Sequence, residues 1–164
     1  MHANQIDHVQ TTFKEVAKIK DAAAGLFYGK LFELDPSLAP LFKGDLEAQG
    51  RALMAMLATA VGGLNRLETI VPAVQELAVR HAGYGVSEKD YDTVGAALLW
   101  TLEQGLGDLY TEEVADAWTA VYGVLASTMI EAAYSAQNND ITYKETSVPE
   151  QKTEQNSEII EGIQ

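Results

Sequence analysis

The sequence contains no cysteine. This absence excludes disulfides, thiolate metal sites, iron–sulfur clusters, cysteine nucleophiles and the covalent attachment of a c-type haem. A bound metal would have to take its ligands from His, Asp, Glu, Tyr or Met side chains. The chain has only three histidines, so few imidazole sites need to be considered.

Basic residues are scarce as well. Lys and Arg number 11 against 24 Asp and Glu, which gives a formal net charge of −13. Because proteins that bind nucleic acid or anionic membranes depend on Lys and Arg to neutralise phosphate, neither is expected as a partner. The longest uncharged apolar stretch, from Ala52 to Leu64, is well short of the roughly 20 residues that span a bilayer. The charged N-terminal region does not resemble a secretory signal. We therefore expect a cytoplasmic protein with no membrane insertion.

Hydrophobic residues recur at helical spacing through most of the chain. Ile6, Val9, Phe13 and Val16 fall on one face and predict a first amphipathic helix. The same reasoning predicts a second helix from Asp21, which groups Leu26, Phe27, Leu31 and Leu34, and a short helix from Pro36 to Leu41. It also predicts a helix from Glu47 to Val61 and one from about Thr69 to Ala82, with Pro72 in its first turn. Two further helices are predicted, one from the capping sequence Ser87 to Asp90 on to Leu106 and one from the cap Thr111 to about Ala136. No alternating strand pattern is present, so the fold class is all-α with six or seven helices.

The composition changes after Ala136. Residues 137–164 are rich in Gln, Asn, Ser, Thr and Glu and carry a net negative charge. Low hydrophobicity combined with such charge favours disorder. We expect a domain over residues 1–136 and an acidic, disordered tail over residues 137–164, with docking of Ile159 and Ile160 left open as the alternative.

His81 is the candidate for a buried imidazole site, because His2 and His8 lie near the N-terminus. His81 follows Val74 and Leu77 at helical spacing, which places its ring on an apolar face. Taken alone, such a histidine is more often a hydrogen-bonded core residue than a ligand. The other polar and aromatic residues must decide between the two.

Those residues favour a pocket. Gln49 begins the apolar face that continues with Leu53 and Met56, and a single amide there is typical of a pocket that needs one hydrogen-bond donor. Phe42 ends the short helix, and Tyr28 belongs to an aromatic pair on the second helix. No catalytic triad, phosphate-binding loop, dinucleotide glycine pattern or HExxH motif is present.

The chain resembles the globin family, in particular the bacterial single-domain globins related to the haem domain of flavohaemoglobins. The matching stretches are LFYGKLFELDPSLAPLF (26–42), QGRALM (49–54), VPAVQELAVRHAGYGV (71–86), YDTVGAALL (91–99) and AWTAVYGVLA (117–126). They follow one another in the order and spacing of the family. The resemblance implies a globin fold of six to eight helices around a b-type haem.

The resemblance also implies a role for each site residue. His81 corresponds to the ligand of the haem iron, Tyr28 and Gln49 to the polar pair on the distal side, where gas binds, and Leu53 to a distal wall. A tyrosine matching Tyr91 supplies a hydrogen bond near the histidine on the proximal side. The implied cofactor contacts are Phe42, Leu53, His81, Tyr91, Val94, Leu98 and Tyr122, with Leu125 beside them.

One position departs from the flavohaemoglobin branch. A glutamate that completes the proximal hydrogen bonds in that branch is replaced by Ala133, and Glu131 lies about 200° away around the helix. The 164 residues also hold no counterpart of a reductase domain. Both differences weaken the expectation of nitric oxide dioxygenation and leave the binding of gases unaffected.

The sequence and the resemblance together predict a cytoplasmic globin that holds haem b, iron protoporphyrin IX, and binds dioxygen and other diatomic gases reversibly for storage or delivery. One alternative is a nitric oxide dioxygenase that receives electrons from a separate flavin reductase. Another is a gas sensor whose acidic tail engages a partner. Whether the protein is a monomer or a homodimer is left open.

Overall fold

A computed structural model describes the backbone of residues 1–161 and the side chains of residues 1–138. Within that part, the chain forms six α-helices, three short 3₁₀ turns and no strand. The α-helices are α1 (Ala3–Ala17), α2 (Lys20–Leu34), α3 (Leu46–Gly62), α4 (Leu67–Gly83), α5 (Glu88–Leu106) and α6 (Glu112–Glu161), and the 3₁₀ turns are Pro36–Leu41, Leu64–Arg66 and Gly107–Leu109. The predicted all-α class is confirmed. None of the described helices is both long and apolar enough to cross a membrane.

Side-chain caps fix several helix starts. The Asp45 carboxylate accepts a hydrogen bond from the Glu47 amide at 2.9 Å. Ser87 and Asp90 form the reciprocal capping box that the sequence predicts. Thr111 Oγ1 accepts from the Val114 amide at 3.2 Å. Because each cap satisfies amides that have no partner inside the helix, these starts are set locally.

Two sequence predictions about α2 and α4 are wrong in detail. Leu26 and Leu34 are exposed, since the buried face of α2 consists of Ala23, Ala24, Phe27, Tyr28 and Leu31. Leu26 lies about 130° from the centre of that face, and Leu34 is the last residue of the helix. Helix α4 begins at Leu67, so Pro72 lies inside the helix and not in its first turn. Leu67 packs against the core, and the helix begins there, N-terminal to the predicted start at about Thr69.

The core lies where α1 packs on α6 and α2 packs on α5. Trp118 is its largest fully buried side chain. The Trp118 indole donates a hydrogen bond to Thr12 Oγ1 at 2.9 Å, and this hydroxyl in turn donates to His8 O at 2.7 Å. The buried polar atoms are thereby paired, which avoids the cost of an unsatisfied donor. This arrangement fixes α1 against α6.

Helix α3 crosses α2 at Gly50. A Cβ added at this glycine would lie 2.9 Å from the Ala24 Cβ and 4.0 Å from the Tyr28 ring. Backbone contact this close holds the start of α3 against the aromatic part of α2.

We expect Gly50→Ala to lower the free energy of unfolding by about 1–3 kcal/mol, because the added methyl group overpacks the crossing. The control is Gly25→Ala, at an exposed helical glycine where a Cβ meets nothing within 4 Å. This control should stabilise the chain slightly through helix propensity. Urea unfolding of both variants measures the difference, and equal shifts would contradict the role of the crossing.

The expected boundary near Ala136 is not tested. Helix α6 is assigned through Glu161, whereas the side chains from residue 139 onward lie outside the described part of the structure. The predicted disorder of residues 137–164 and the docking of Ile159 and Ile160 fall mostly on those residues. Both stay predictions.

Candidate functional site

His81 lies in the last turn of α4 with a half-buried ring. Its Nδ1 atom is 2.9 Å from the Leu77 carbonyl oxygen, one turn earlier. A carbonyl oxygen can only accept, so this contact is a hydrogen bond when Nδ1 carries the proton. Nε2 then has a free lone pair, and it has no hydrogen-bond partner among the described residues. This is the tautomer in which an imidazole binds a metal through Nε2.

The surroundings of His81 favour its neutral form. Desolvation by burial lowers the pKa of His81, and the nearby Arg80 charge lowers it further, although the hydrogen bond with Leu77 opposes them. The Tyr84 ring lies 6.2 Å from the imidazole and is 62% exposed. His81 therefore has a half-buried imidazole whose neutral form is favoured and whose Nδ1 is held by the Leu77 carbonyl.

A cluster of four aromatic rings lies on α2 and the adjoining 3₁₀ turn. We call Phe27, Tyr28, Phe32 and Phe42 the aromatic cluster. The Tyr28 ring is 5.3 Å from Phe42 in an edge-to-face arrangement and 6.1 Å from Phe32. Phe32 and Phe42 are themselves 5.5 Å apart. Such contacts hold Tyr28 in one orientation.

The Tyr28 hydroxyl is the unusual group in this cluster. Tyr28 is only 7% exposed as a whole residue, but its hydroxyl oxygen is not fully buried and has no hydrogen-bond partner among the described residues. Burial also raises the pKa of Tyr28, so the hydroxyl keeps its proton. The site therefore holds a fixed donor that the described protein atoms do not use.

Gln49 does not join Tyr28 in the structure. Its side chain is exposed, whereas the next residue, Gly50, is buried against α2. Since consecutive helical residues are about 100° apart, the packing of Gly50 turns Gln49 outward. The pairing of Tyr28 with Gln49 that the resemblance implies is thus not assembled in this structure.

The residues that the resemblance assigns to the proximal side belong to α5 and α6. Leu98 is buried, whereas Tyr91, Val94, Tyr122 and Leu125 are half buried. The expected hydrogen bond between Tyr91 and His81 is not found, because the imidazole is bonded to Leu77 in its own helix. The Tyr91 backbone carbonyl instead accepts a hydrogen bond from the Tyr122 hydroxyl at 2.5 Å.

Two residues of α6 near the position of the family's glutamate differ in exposure. Ala133 is half buried, and Glu131 is exposed, as its two-residue offset predicts. No described carboxylate bonds with His81, whose Nδ1 partner is a neutral carbonyl. The acceptor beside His81 Nδ1 is therefore weaker than a carboxylate would be.

Comparison with known proteins decides the family. The globin family model matches residues 25–129, more than half of the chain. The chain belongs to the globin family.

Relatives of this globin include single-domain and larger proteins. It is 27% identical over 128 residues to a flavohemoprotein of Bacillus subtilis, and the aligned region covers 76% of this chain and 32% of that protein. A bacterial globin of Campylobacter jejuni superposes with a TM-score of 0.74 at 24% identity, covering 84% of this chain and 99% of the other. A flavohemoglobin of Malassezia yamatoensis, solved with bound FAD and heme, gives a TM-score of 0.71 at 24% identity, covering 83% of this chain and 37% of that one. The globin thus spans about a third of the length of its flavohemoprotein relatives, and the globin fold is confirmed.

The side chains of this globin fit haem. The described residues contain no group of three or more His, Asp or Glu that could hold a metal ion by themselves. A metal bound by His81 therefore needs a cofactor that brings most of its own donors, as haem does. Phe42, Leu53, Val94 and Tyr122 pack against the core while staying partly exposed, which leaves apolar surface for a flat cofactor to cover. The family and this set of side chains together support haem as the cofactor of the globin.

Sequence reasoning missed some residues of the site. Phe32 belongs to the aromatic cluster, and its spacing of four residues from Tyr28 on a helix could have indicated that contact. Gly50 and Gly95 have no side chain and so contribute nothing to hydrophobic periodicity. Their importance is apparent only from the close contact of two helices at each position.

Proposed function

We propose that this globin binds haem b, iron protoporphyrin IX, through His81 Nε2 and binds dioxygen reversibly for storage or delivery in the cytoplasm. The observation that carries the proposal is the combination of a neutral imidazole with a free Nε2 and a buried Tyr28 ring whose accessible hydroxyl has no described partner. A c-type attachment is excluded by the lack of cysteine. A non-covalent haem is therefore the form considered.

Each side of the proposed site has a distinct task. Haem, when bound, supplies an iron atom with an open position for a diatomic gas. The Leu77 carbonyl orients the His81 ring, and the half-buried Phe42 and Leu53 exclude water from the cofactor face. The Tyr28 hydroxyl donates a hydrogen bond to a polarised ligand such as dioxygen, and it contributes more where water is excluded. We expect carbon monoxide, a less polar ligand, to gain less from this donor.

Gln49 enters the proposal as a second donor only after a side-chain rearrangement. The amide is exposed in this structure, but it lies on the turn of α3 that packs against α2 through Gly50. We propose that rotation of the long Gln49 side chain brings its amide toward the cofactor. Gln49 is thus proposed as an adjustable donor, in contrast to the fixed Tyr28.

Nitric oxide dioxygenation is the second candidate function. It is favoured by the similarity to flavohemoproteins, one of which holds both FAD and heme. In that case the globin would receive electrons from a separate flavin reductase. The proximal side favours gas binding instead, because His81 bonds to a neutral carbonyl and Ala133 supplies no carboxylate.

Two measurements on the haem-loaded protein separate these functions. Cycles of oxygenation and removal of oxygen should restore the starting absorption spectrum many times if the globin is an oxygen carrier. Consumption of nitric oxide is then measured in the presence of dioxygen, NADH and a flavin reductase. Rapid catalytic consumption, well above that of the reductase alone, would favour the dioxygenase and contradict simple carriage.

The proximal side gives a further prediction. The iron–histidine stretch of the reduced protein should lie at the low frequency of a neutral imidazole, because the Leu77 carbonyl is a weak acceptor. Ala133→Glu should raise this frequency if position 133 faces His81. Glu131→Ala is the control, since Glu131 is exposed and its removal should leave the stretch unchanged. Resonance Raman spectra test both, and a wild-type frequency typical of a carboxylate-bonded histidine would contradict the assignment.

A further inference from the structure

Tyr122 of α6 lies directly against Gly95 of α5. A Cβ added at Gly95 would be 2.6 Å from Tyr122 Cε1, 3.1 Å from Cδ1 and 3.3 Å from Cζ. These three atoms form one edge of the ring, so the edge occupies the space that a side chain at position 95 would need. A glycine at position 95 is therefore a condition for this placement of the ring.

The hydroxyl of Tyr122 makes a second contact with the same turn. It donates to the Tyr91 backbone oxygen at 2.5 Å. Tyr91 precedes Gly95 by four residues, so both contacts fall on one turn of α5. Burial raises the pKa of Tyr122, and the neighbouring Tyr91 and Asp92 raise it further, which keeps the hydroxyl protonated as a donor. The ring is thus fixed to α5 through its edge and through its oxygen.

This turn carries the proximal wall of the proposed site. Val94 lies next to Gly95, and Leu98 follows one turn later on the same helix. Val94 is partly buried against the core, and Leu98 is 7% exposed. A change in the distance between α5 and α6 at Gly95 would move both side chains relative to His81.

We infer that Gly95 and Tyr122 form a lock between α5 and α6, so that Tyr122, beyond the cofactor contact that the resemblance implies, also positions Val94 and Leu98 for the haem site. This inference rests on the proposed haem binding. The lock fixes the positions of Val94 and Leu98. These positions in turn determine the rate of haem release and the arrangement of the proximal side.

Two variants probe the two contacts of the lock. Tyr122→Phe keeps the ring and removes the hydrogen bond, and it should raise the rate of haem release about tenfold, as expected for one lost hydrogen bond. Gly95→Ala displaces the ring, and it should raise that rate at least as much and also shift the iron–histidine stretch. Gly123→Ala is the matched control, at a glycine of α6 next to Tyr122 where a Cβ meets nothing within 4 Å. It should change neither quantity.

A size exchange tests the lock itself. The double variant combines Gly95→Ala with Tyr122→Leu, in which the smaller leucine leaves space for the new methyl group. Its rate of haem release should therefore be lower than the rate obtained by multiplying the effects of the two single variants. The rate is measured by transfer of haem to an excess of an acceptor protein. Wild-type release rates and an unchanged stretch in Tyr122→Phe and Gly95→Ala would overturn the positioning role while leaving the proposed function intact. Failure of the wild type to take up haem would overturn both.

Discussion

His81→Ala is expected to yield a protein without stably bound haem. His81 lies in α4 with a half-buried imidazole, and its Nε2 atom makes no hydrogen bond to a described residue. We do not expect the other histidines to replace it, since His2 is the N-cap of α1 and His8 lies within that helix. Because the described residues contain no cluster of metal ligands, loss of this imidazole removes the one bond to the iron that we propose. Haem content per chain and the Soret band measure the outcome.

The cavity left by this substitution gives a positive test as well. Added imidazole should restore haem binding in His81→Ala, because the space of the missing ring matches the free base. His8→Ala is the control and should retain a wild-type haem content. If His81→Ala kept the wild-type Soret band and haem content without imidazole, the assignment of His81 would be wrong.

Tyr28→Phe is expected to speed the release of dioxygen by about tenfold, which corresponds to one hydrogen bond of roughly 1.4 kcal/mol. The rate for carbon monoxide should change much less. The stability of the haem-free protein should change little, because the Tyr28 hydroxyl bonds to no described residue and its removal breaks no bond within that part. Stopped-flow measurements give both gas rates, and urea unfolding gives the stability.

The exposed Tyr84 supplies the control for this variant. Tyr84→Phe removes a hydroxyl from a ring that is 62% exposed, so neither the dioxygen nor the carbon monoxide rate should respond. Equal acceleration of both gases in Tyr28→Phe would show that the side chain acts by its bulk. A large loss of stability would show that the hydroxyl has a structural partner.

The helices were the most predictable part of the molecule. Val9, Phe13 and Val16 are buried on one face of α1, as their spacing requires, and the capping box of Ser87 and Asp90 is present. Both features depend on residues close together in sequence, which is why local patterns reveal them. Helix α2 was less predictable, because apolar residues occur all around it and periodicity alone could not show that Leu26 faces outward.

The site was predictable in its residue types and less so in its contacts. The position of His81 on an apolar face could be predicted from spacing, and the roles of Tyr28 and Phe42 followed from the family resemblance. The outward turn of Gln49 depends on the close packing of Gly50 against α2, which no local pattern encodes. The bond from His81 to the Leu77 carbonyl, in place of Tyr91, likewise depends on the rotamer of the ring within its own helix.

A titration of haem into the haem-free wild-type protein tests the central claim most directly. Absorption spectra are recorded in the ferric state, after reduction with dithionite, and after addition of carbon monoxide. We predict saturation at one haem per chain and a Soret band that shifts sharply on reduction and again with carbon monoxide, as for a histidine-bound haem b. Uptake that never saturates, or spectra that stay those of free haem, would contradict the claim that this globin holds haem through His81.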